Sequence, residues 1–122
     1  MASRLVTMPE LSLAIAEAML DAFSRKIVTS TISEGKTTET LSAENGIPLS
    51  TAYRRVHDLE AQGIIIVERV VLTSSGKRYS IYRSAFTEVK IDLESNGLSV
   101  QVTPNRDVAD KLFRFWQSIA FR

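Results

Sequence analysis

The chain has 122 residues, 44% of them hydrophobic, and a formal net charge of +1, enough to bury the core of one domain but not of two. It contains no Cys, which excludes disulfides, thiolate metal sites and a cysteine nucleophile. Its longest purely aliphatic run, Ile64 to Val67, is far too short to cross a bilayer, and the first residues lack a basic segment followed by an apolar one, so a soluble cytoplasmic protein is expected.

Chain order then gives the elements. Thr7 with Glu10 three residues later has the spacing of a capping box, and Leu11, Ile15, Met19 and Ala22 follow at helical intervals, so a helix is expected from near Pro9. Ile27, Val28 and Ile32 carry the apolar stripe on, and a stop is expected at Gly35. Asp21 or Ser24 can cap a separate helix inside this stretch, which leaves one helix and two equally open.

Thr37 or Thr38 suits the cap of the next helix, where Leu41 points inward and Gly46 supplies the left-handed conformation that ends it. Pro48 lacks a backbone donor and suits a helix start, so a further helix is expected from about Leu49 to Gln62, closed by Gly63. Two helices joined by a tight Gly turn are the pattern of a helix-turn-helix. At about 100° per residue, Ala52, Val56 and Leu59 share the buried side of the second helix. Arg54 then falls opposite, Ser50 and His57 lie on the same exposed side, Thr51 and Tyr53 flank it, and Arg55 returns to the edge of the buried stripe.

Ile64 to Thr73 is rich in β-branched residues, Ser74-Ser75-Gly76 is turn-like, and Tyr79, Ile81 and Arg83 alternate with polar positions, which predicts a hairpin with Lys77 and Arg78 just after its tip. A hairpin directly after a helix-turn-helix is a wing. The charge is distributed in keeping with this: residues 47–84 hold six Lys/Arg against three Asp/Glu, whereas residues 1–46 hold four against six and residues 85–122 five against five.

On a duplex, Arg54 can present its fork to guanine, with Ser50, Tyr53 and His57 beside it. Ser50 and Thr51 near the helix start can meet a phosphate, as can Arg55. Lys77 and Arg78 add salt-sensitive backbone contacts. Any solvated helix face carries such residues; their placement between a Gly turn and a wing is what points to DNA. His57 is the only His and has no ligand set or acid-base partner around it in sequence. No phosphate-cradling Gly loop, activated nucleophile or carboxylate pair appears. Neither catalysis nor a metal or other cofactor is therefore expected.

The segments Leu20 to Val28, Leu41 to Val56 and Leu59 to Ile65 resemble the ArsR-like winged helix-turn-helix regulators, particularly the archaeal members. The resemblance covers roughly residues 20–84 and is most specific in the Gly46-Ile47-Pro48-Leu49-Ser50-Thr51-Ala52-Tyr53-Arg54-Arg55 run and its spacing from Leu59-Glu60-Ala61-Gln62-Gly63. It implies a transcriptional regulator that binds DNA as a homodimer, with residues 49–62 as recognition helix. The lack of Cys departs from the metal-sensing branch.

The last third lies outside that resemblance. Val89, Ile91 and Leu93 alternate with charged residues before Asn96-Gly97, and Leu98, Val100 and Val102 alternate after it, which predicts a second hairpin. Pro104 stops the strand, Asn105 can cap a helix, and Asp107 and Asp110 suit its positive end. That helix carries two adjacent apolar stripes, Val108, Leu112, Phe115, Ile119 and Ala109, Phe113, Trp116, Ala120, wider than docking on one small core requires. The expectation is a dimer formed by this helix and the first, with Leu11, Ile15, Val108, Leu112, Phe113, Phe115, Trp116 and Ile119 at the interface. The alternative is closure over the chain's own hairpin.

The whole reads as one α+β, mainly helical domain over 1–122. It comprises an N-terminal helix or helices over 1–34, a helix-turn-helix over 37–63, a wing over 64–84, a second hairpin over 86–103 and a dimerisation helix over 105–121. Two recognition helices about 34 Å apart would favour a pseudo-palindromic site. A winged-helix protein-protein adaptor and a non-specific architectural DNA binder are the alternatives, and the existence and identity of a small-molecule effector stay open.

Overall fold

The computed structural model describes residues 2–111 and has an α+β architecture. Strand β1 (Arg4–Leu5) leads into helices α1 (Pro9–Leu20), α2 (Ala22–Ser30), α3 (Thr38–Asn45) and α4 (Leu49–Ala61). These are followed by strands β2 (Ile65–Leu72), β3 (Arg78–Ser84), β4 (Phe86–Glu94) and β5 (Gly97–Pro104) and a 3-10 turn over Arg106–Val108. Among the described residues the helices hold more of the chain than the strands, which form two full hairpins and the short β1.

Helix α1 begins at Pro9 as expected, but Met8 occupies its cap position and no side chain closes it, so the Thr7–Glu10 box does not form. The chain is still held in the sheet at Val6, whose N–H bonds the Val100 carbonyl at 2.9 Å. Proline at the first helical position leaves one fewer amide to satisfy. The N-terminal region divides into two helices at Asp21, whose carboxylate accepts the Ser24 N–H at 2.8 Å and caps α2.

Helix α2 ends at Ser30, short of the expected stop at Gly35. The Thr31 hydroxyl folds back onto the carbonyls of Ile27 and Val28, at 2.9 and 3.1 Å. The carbonyls of Thr31 and Ile32 are taken by Arg83, which leaves no helical ladder to continue. Gly35 instead marks a close passage over the hairpin: a Cβ there would overlap Ile81 Cγ2. The next residue, Lys36, exchanges two backbone hydrogen bonds with Tyr82, adding a one-residue bridge to the edge of β3.

Strands β2 and β3 pair antiparallel from Ile65↔Ser84 to Leu72↔Arg78, with a bulge between Val67 and Arg69 that sets Glu68 out of the ladder. The second sheet has the order β1-β5-β4. Its hairpin turns one residue earlier than expected: Glu94 pairs with Gly97, so Ser95 and Asn96 form the loop and Gly97, at φ 128°, opens β5. Asparagine at the loop's second position still tolerates the tight turn, and the glycine has moved onto the strand.

One core joins all layers. Ile15, Ile27, Leu41, Ile64, Ile65, Phe86, Val100 and Val102 are at most 1% exposed, each contributing on the order of 1.5–3 kcal/mol of apolar burial. Leu11, Ile15 and Val108 are also inside, so these three do not form a surface for a second subunit as expected; their apolar area is already removed from water within one chain. Leu112, Phe113, Phe115, Trp116 and Ile119 lie outside the described residues. Asn105 caps the 3-10 turn as expected and is itself buried, with its side-chain amide donating to the carbonyls of Ile32 and Ser84 at 2.9 and 3.0 Å.

Candidate nucleic-acid interface

The presentation of α4 follows from the chain that precedes it. Thr37 caps α3 through the Thr40 N–H, and Gly46, at φ 64°, closes it in the left-handed region. Pro48 then fixes the entry into α4. Leu41, Ile47, Ala52, Val56 and Leu59 lock the helix pair onto the core. With that face inside, Ser50, Tyr53, Arg54 and His57 are exposed and Thr51 is half-buried, in agreement with the helical phase.

The hairpin brings its cations to the same helix. Lys77 and Arg78 follow a tip closed by Gly76 N–H to the Thr73 carbonyl, 3.0 Å, and by Thr73 N–H to the Lys77 carbonyl, 2.8 Å. Both line a groove of about 380 Å³ together with Tyr53 of α4, Glu39 of α3, and Tyr79 and Tyr82 of β3. Helix and hairpin residues that lie more than twenty positions apart in sequence therefore share one concave surface, with two cations and three tyrosines facing it.

Glu39 is the residue of this groove that sequence reasoning missed. The Tyr53 hydroxyl donates to its Oε2 at 2.5 Å. That bond, with burial adding to it, pushes the phenol up to about 12. Tyr82 is also raised, chiefly by burial and then by Glu60. The helical position of Glu39 in the first turn of α3 fits the dipole and would by itself be read as a stabilising surface charge.

Arg55 is tied to the body of the domain in this arrangement. Its Nε and Nη2 hold Asp21 Oδ2 and Oδ1 at 2.9 and 3.2 Å, a two-point ion pair between α4 and the cap of α2. The sequence did not reveal this pair because the partner lies 34 positions away. The Asp21 carboxyl is held below its ordinary value, first by the Ser24 backbone N–H, with Arg55 adding to the effect against the cost of burial.

A second missed residue sits at the hairpin's base. Arg83 is 6% exposed and donates to four oxygens at once: Nε to the Thr31 carbonyl at 3.1 Å, Nη1 to Glu68 Oε2 at 2.7 Å, and Nη2 to the Ile32 carbonyl at 2.7 Å and Asp107 Oδ2 at 2.6 Å. Burial pulls its pKa down, and the hydrogen bonds to Asp107 and Glu68 outweigh that and raise it. Lys111 adds to the same joint by donating to the carbonyls of Val67 and Glu68. This joint fixes the angle at which the hairpin leaves the body.

Among the described residues no group of three or more His, Asp or Glu side chains is placed to hold a metal ion, and no helix is long and apolar enough to cross a membrane. Comparison with protein-family models and with curated proteins gives no match.

Proposed function

We propose that the chain is a sequence-specific double-stranded-DNA-binding transcriptional regulator, an ArsR-like winged helix-turn-helix protein acting as a homodimer. In this reading α3 and α4 are the helix-turn-helix, α4 enters the major groove, and the β2–β3 hairpin is the wing on the sugar-phosphate backbone. The observation that carries it is the shared groove. Tyr53 of the reading helix and Lys77 and Arg78 of the hairpin open on one surface beside the exposed Ser50, Arg54 and His57, the combination of base-edge donors with flanking phosphate contacts that duplex readout requires.

Selection of bound sequences from a random duplex pool, followed by a salt titration on the winner, tests this. Recovery of a pseudo-palindrome with a steep salt dependence is the expected result; absence of any duplex binding overturns it.

A protein-protein adaptor is the second reading, favoured by exposed leucines away from the groove: Leu20 is 80% and Leu93 86% exposed, with Leu13 and Leu98 also open. The same leucines are compatible with self-association. Equilibrium sedimentation of the free chain separates the two readings, since the regulator reading requires a dimer in the absence of any other protein.

A further inference from the structure

Building on the duplex reading above, we propose that Glu39 and Tyr53 together form an acceptor-only reading head that selects an exocyclic amino group, cytosine N4 or adenine N6, in the major groove. Three features lead there. The Tyr53 hydroxyl has one proton, and it is committed to Glu39 Oε2 at 2.5 Å. What the phenol can still offer a ligand is an acceptor lone pair. The Glu39 carboxylate has no donor either, so the pair turns only acceptors toward the groove. A phenol already keeps its proton throughout the physiological range at its ordinary value of 10.0, so the acceptor role needs only the geometry of the bond.

The location gives this asymmetry its meaning. Tyr53 is 49% exposed on the reading helix, and Glu39 comes from α3 to the same groove. Lys77 and Arg78 line the groove as well and suit phosphate, whereas the carboxylate repels it. Glu39 therefore has no favourable role against the backbone of a duplex. It is compatible with a bound duplex only where a donor meets it. In the major groove guanine shows N7 and O6 and thymine shows O4, all acceptors, while cytosine shows the N4 amino group and adenine the N6 amino group. Acceptor facing acceptor rejects guanine and thymine; acceptor facing amino group admits cytosine and adenine. Arg54, an all-donor fork on the same exposed face, has the opposite preference, so the two positions read complementary patterns.

The test uses the full chain on its selected duplex. Each cytosine or adenine of the site is replaced in turn by the analogue lacking the amino group, 2-pyrimidinone or purine, and binding is compared for the unaltered protein, Glu39→Ala and Tyr53→Phe. The expected result is one position where the unaltered protein loses roughly 5- to 100-fold in affinity with the analogue, a loss that nearly vanishes in Glu39→Ala and shrinks in Tyr53→Phe. Whether 2-pyrimidinone or purine produces it identifies the base. Glu39→Ala should also tighten binding to random duplex by removing a charge that repels phosphate. If no analogue weakens binding, or if the loss persists in both variants, the reading head is overturned while the duplex reading stands. If the unaltered protein binds no duplex at all, both are overturned.

Discussion

Arg55 of α4 and Asp21 at the start of α2 form a two-point ion pair, 2.9 and 3.2 Å, which anchors α4 to the body of the domain. Asp21 serves twice, since the same Oδ2 that meets Arg55 Nε also caps α2 at the Ser24 amide. Asp21→Ala should therefore cost about 1–2 kcal/mol, the scale of a lost helix cap. Arg55→Ala should cost less than about 1 kcal/mol, the scale of a partly exposed pair. Urea denaturation measures both. The pH dependence follows from the lowered Asp21 pKa. The contribution is fully present above the ordinary value of 3.8 and is lost as pH falls through the lower folded value. Asp21→Asn should thus flatten the acid limb of the stability curve; an unchanged limb would show that other carboxylates set it.

Arg83 makes a stronger demand. Replacing it by Met keeps much of the volume but leaves the Thr31 and Ile32 carbonyls with only the Ser84 amide and the Asn105 side chain as donors, and removes the counter-charge of Glu68 and Asp107. A loss of about 3 kcal/mol is expected, with faster amide exchange in β2 and β3 at the hairpin's base. Arg83→Lys should recover only part of it, because one ammonium cannot reproduce a fork that spans both carbonyls and both carboxylates. Equal stability of the Lys variant and the parent would mean that charge alone, and not the fork, holds the joint.

The elements built from local chemistry were legible in the sequence: Gly46 and Pro48 bound the α3–α4 turn, Ser74-Ser75-Gly76 the first hairpin, and Ala52, Val56 and Leu59 the phase of α4. What was not legible depends on partners brought together by the fold. Arg83 reads as the last position of the strand face begun by Tyr79 and Ile81, yet its acceptors lie 15, 24, 51 and 52 residues away. Arg55 looks like a phosphate ligand until α2 places Asp21 beside it. Glu39 looks like a helix-start charge until α4 places Tyr53 on it. In each case side-chain type gave the chemistry and tertiary proximity chose the partner. Leu11, Ile15 and Val108 show the same for apolar residues, since periodicity identified a buried face without saying that the chain's own core would cover it.

Gly35 tests the close passage between the α2–α3 connection and the hairpin. A Cβ there would overlap Ile81 Cγ2 and lie 2.8 Å from Glu68 Oε1. Ile81 is buried and branched at Cβ, so it has little freedom to move aside. Gly35→Ala should lower stability by about 1–3 kcal/mol, the usual range for overpacking. Gly35→Ala with Ile81→Leu, which removes the Cγ2 branch at Cβ, tests the mechanism. If overlap with the isoleucine side chain is the cause, the double variant should lose less than the sum of the two single losses, as thermal denaturation would report.

The Tyr53–Glu39 bond should be visible in the free protein. Phenolate absorbance during a pH titration should contain one tyrosine that ionises at about 12, and Glu39→Ala should return it toward the ordinary value of 10.0. The sign for stability is opposite to that of Asp21. A phenol whose folded value is raised contributes fully below 10.0, and that contribution disappears as pH rises from there through about 12. Absence of any shift on Glu39→Ala would place the cause of the raised value elsewhere.

The proposed duplex reading divides the contacts between α4 and the hairpin. Arg54 is exposed on α4 with no role in the body of the domain, so Arg54→Ala should leave stability within about 0.5 kcal/mol. It should lower affinity for the selected site by about 1–3 kcal/mol and relax the choice at one base position. Lys77→Ala should weaken selected and random duplexes alike and reduce the salt slope by about one ion. Arg55→Ala is the informative control, because Arg55 is a residue of the same helix whose charge is already occupied by Asp21. Its salt slope should match that of the unaltered protein. A slope reduced as in Lys77→Ala would mean that the Asp21 pair opens on DNA and releases Arg55 to a phosphate, while equal losses on selected and random duplexes for Arg54→Ala would remove Arg54 from the base edges.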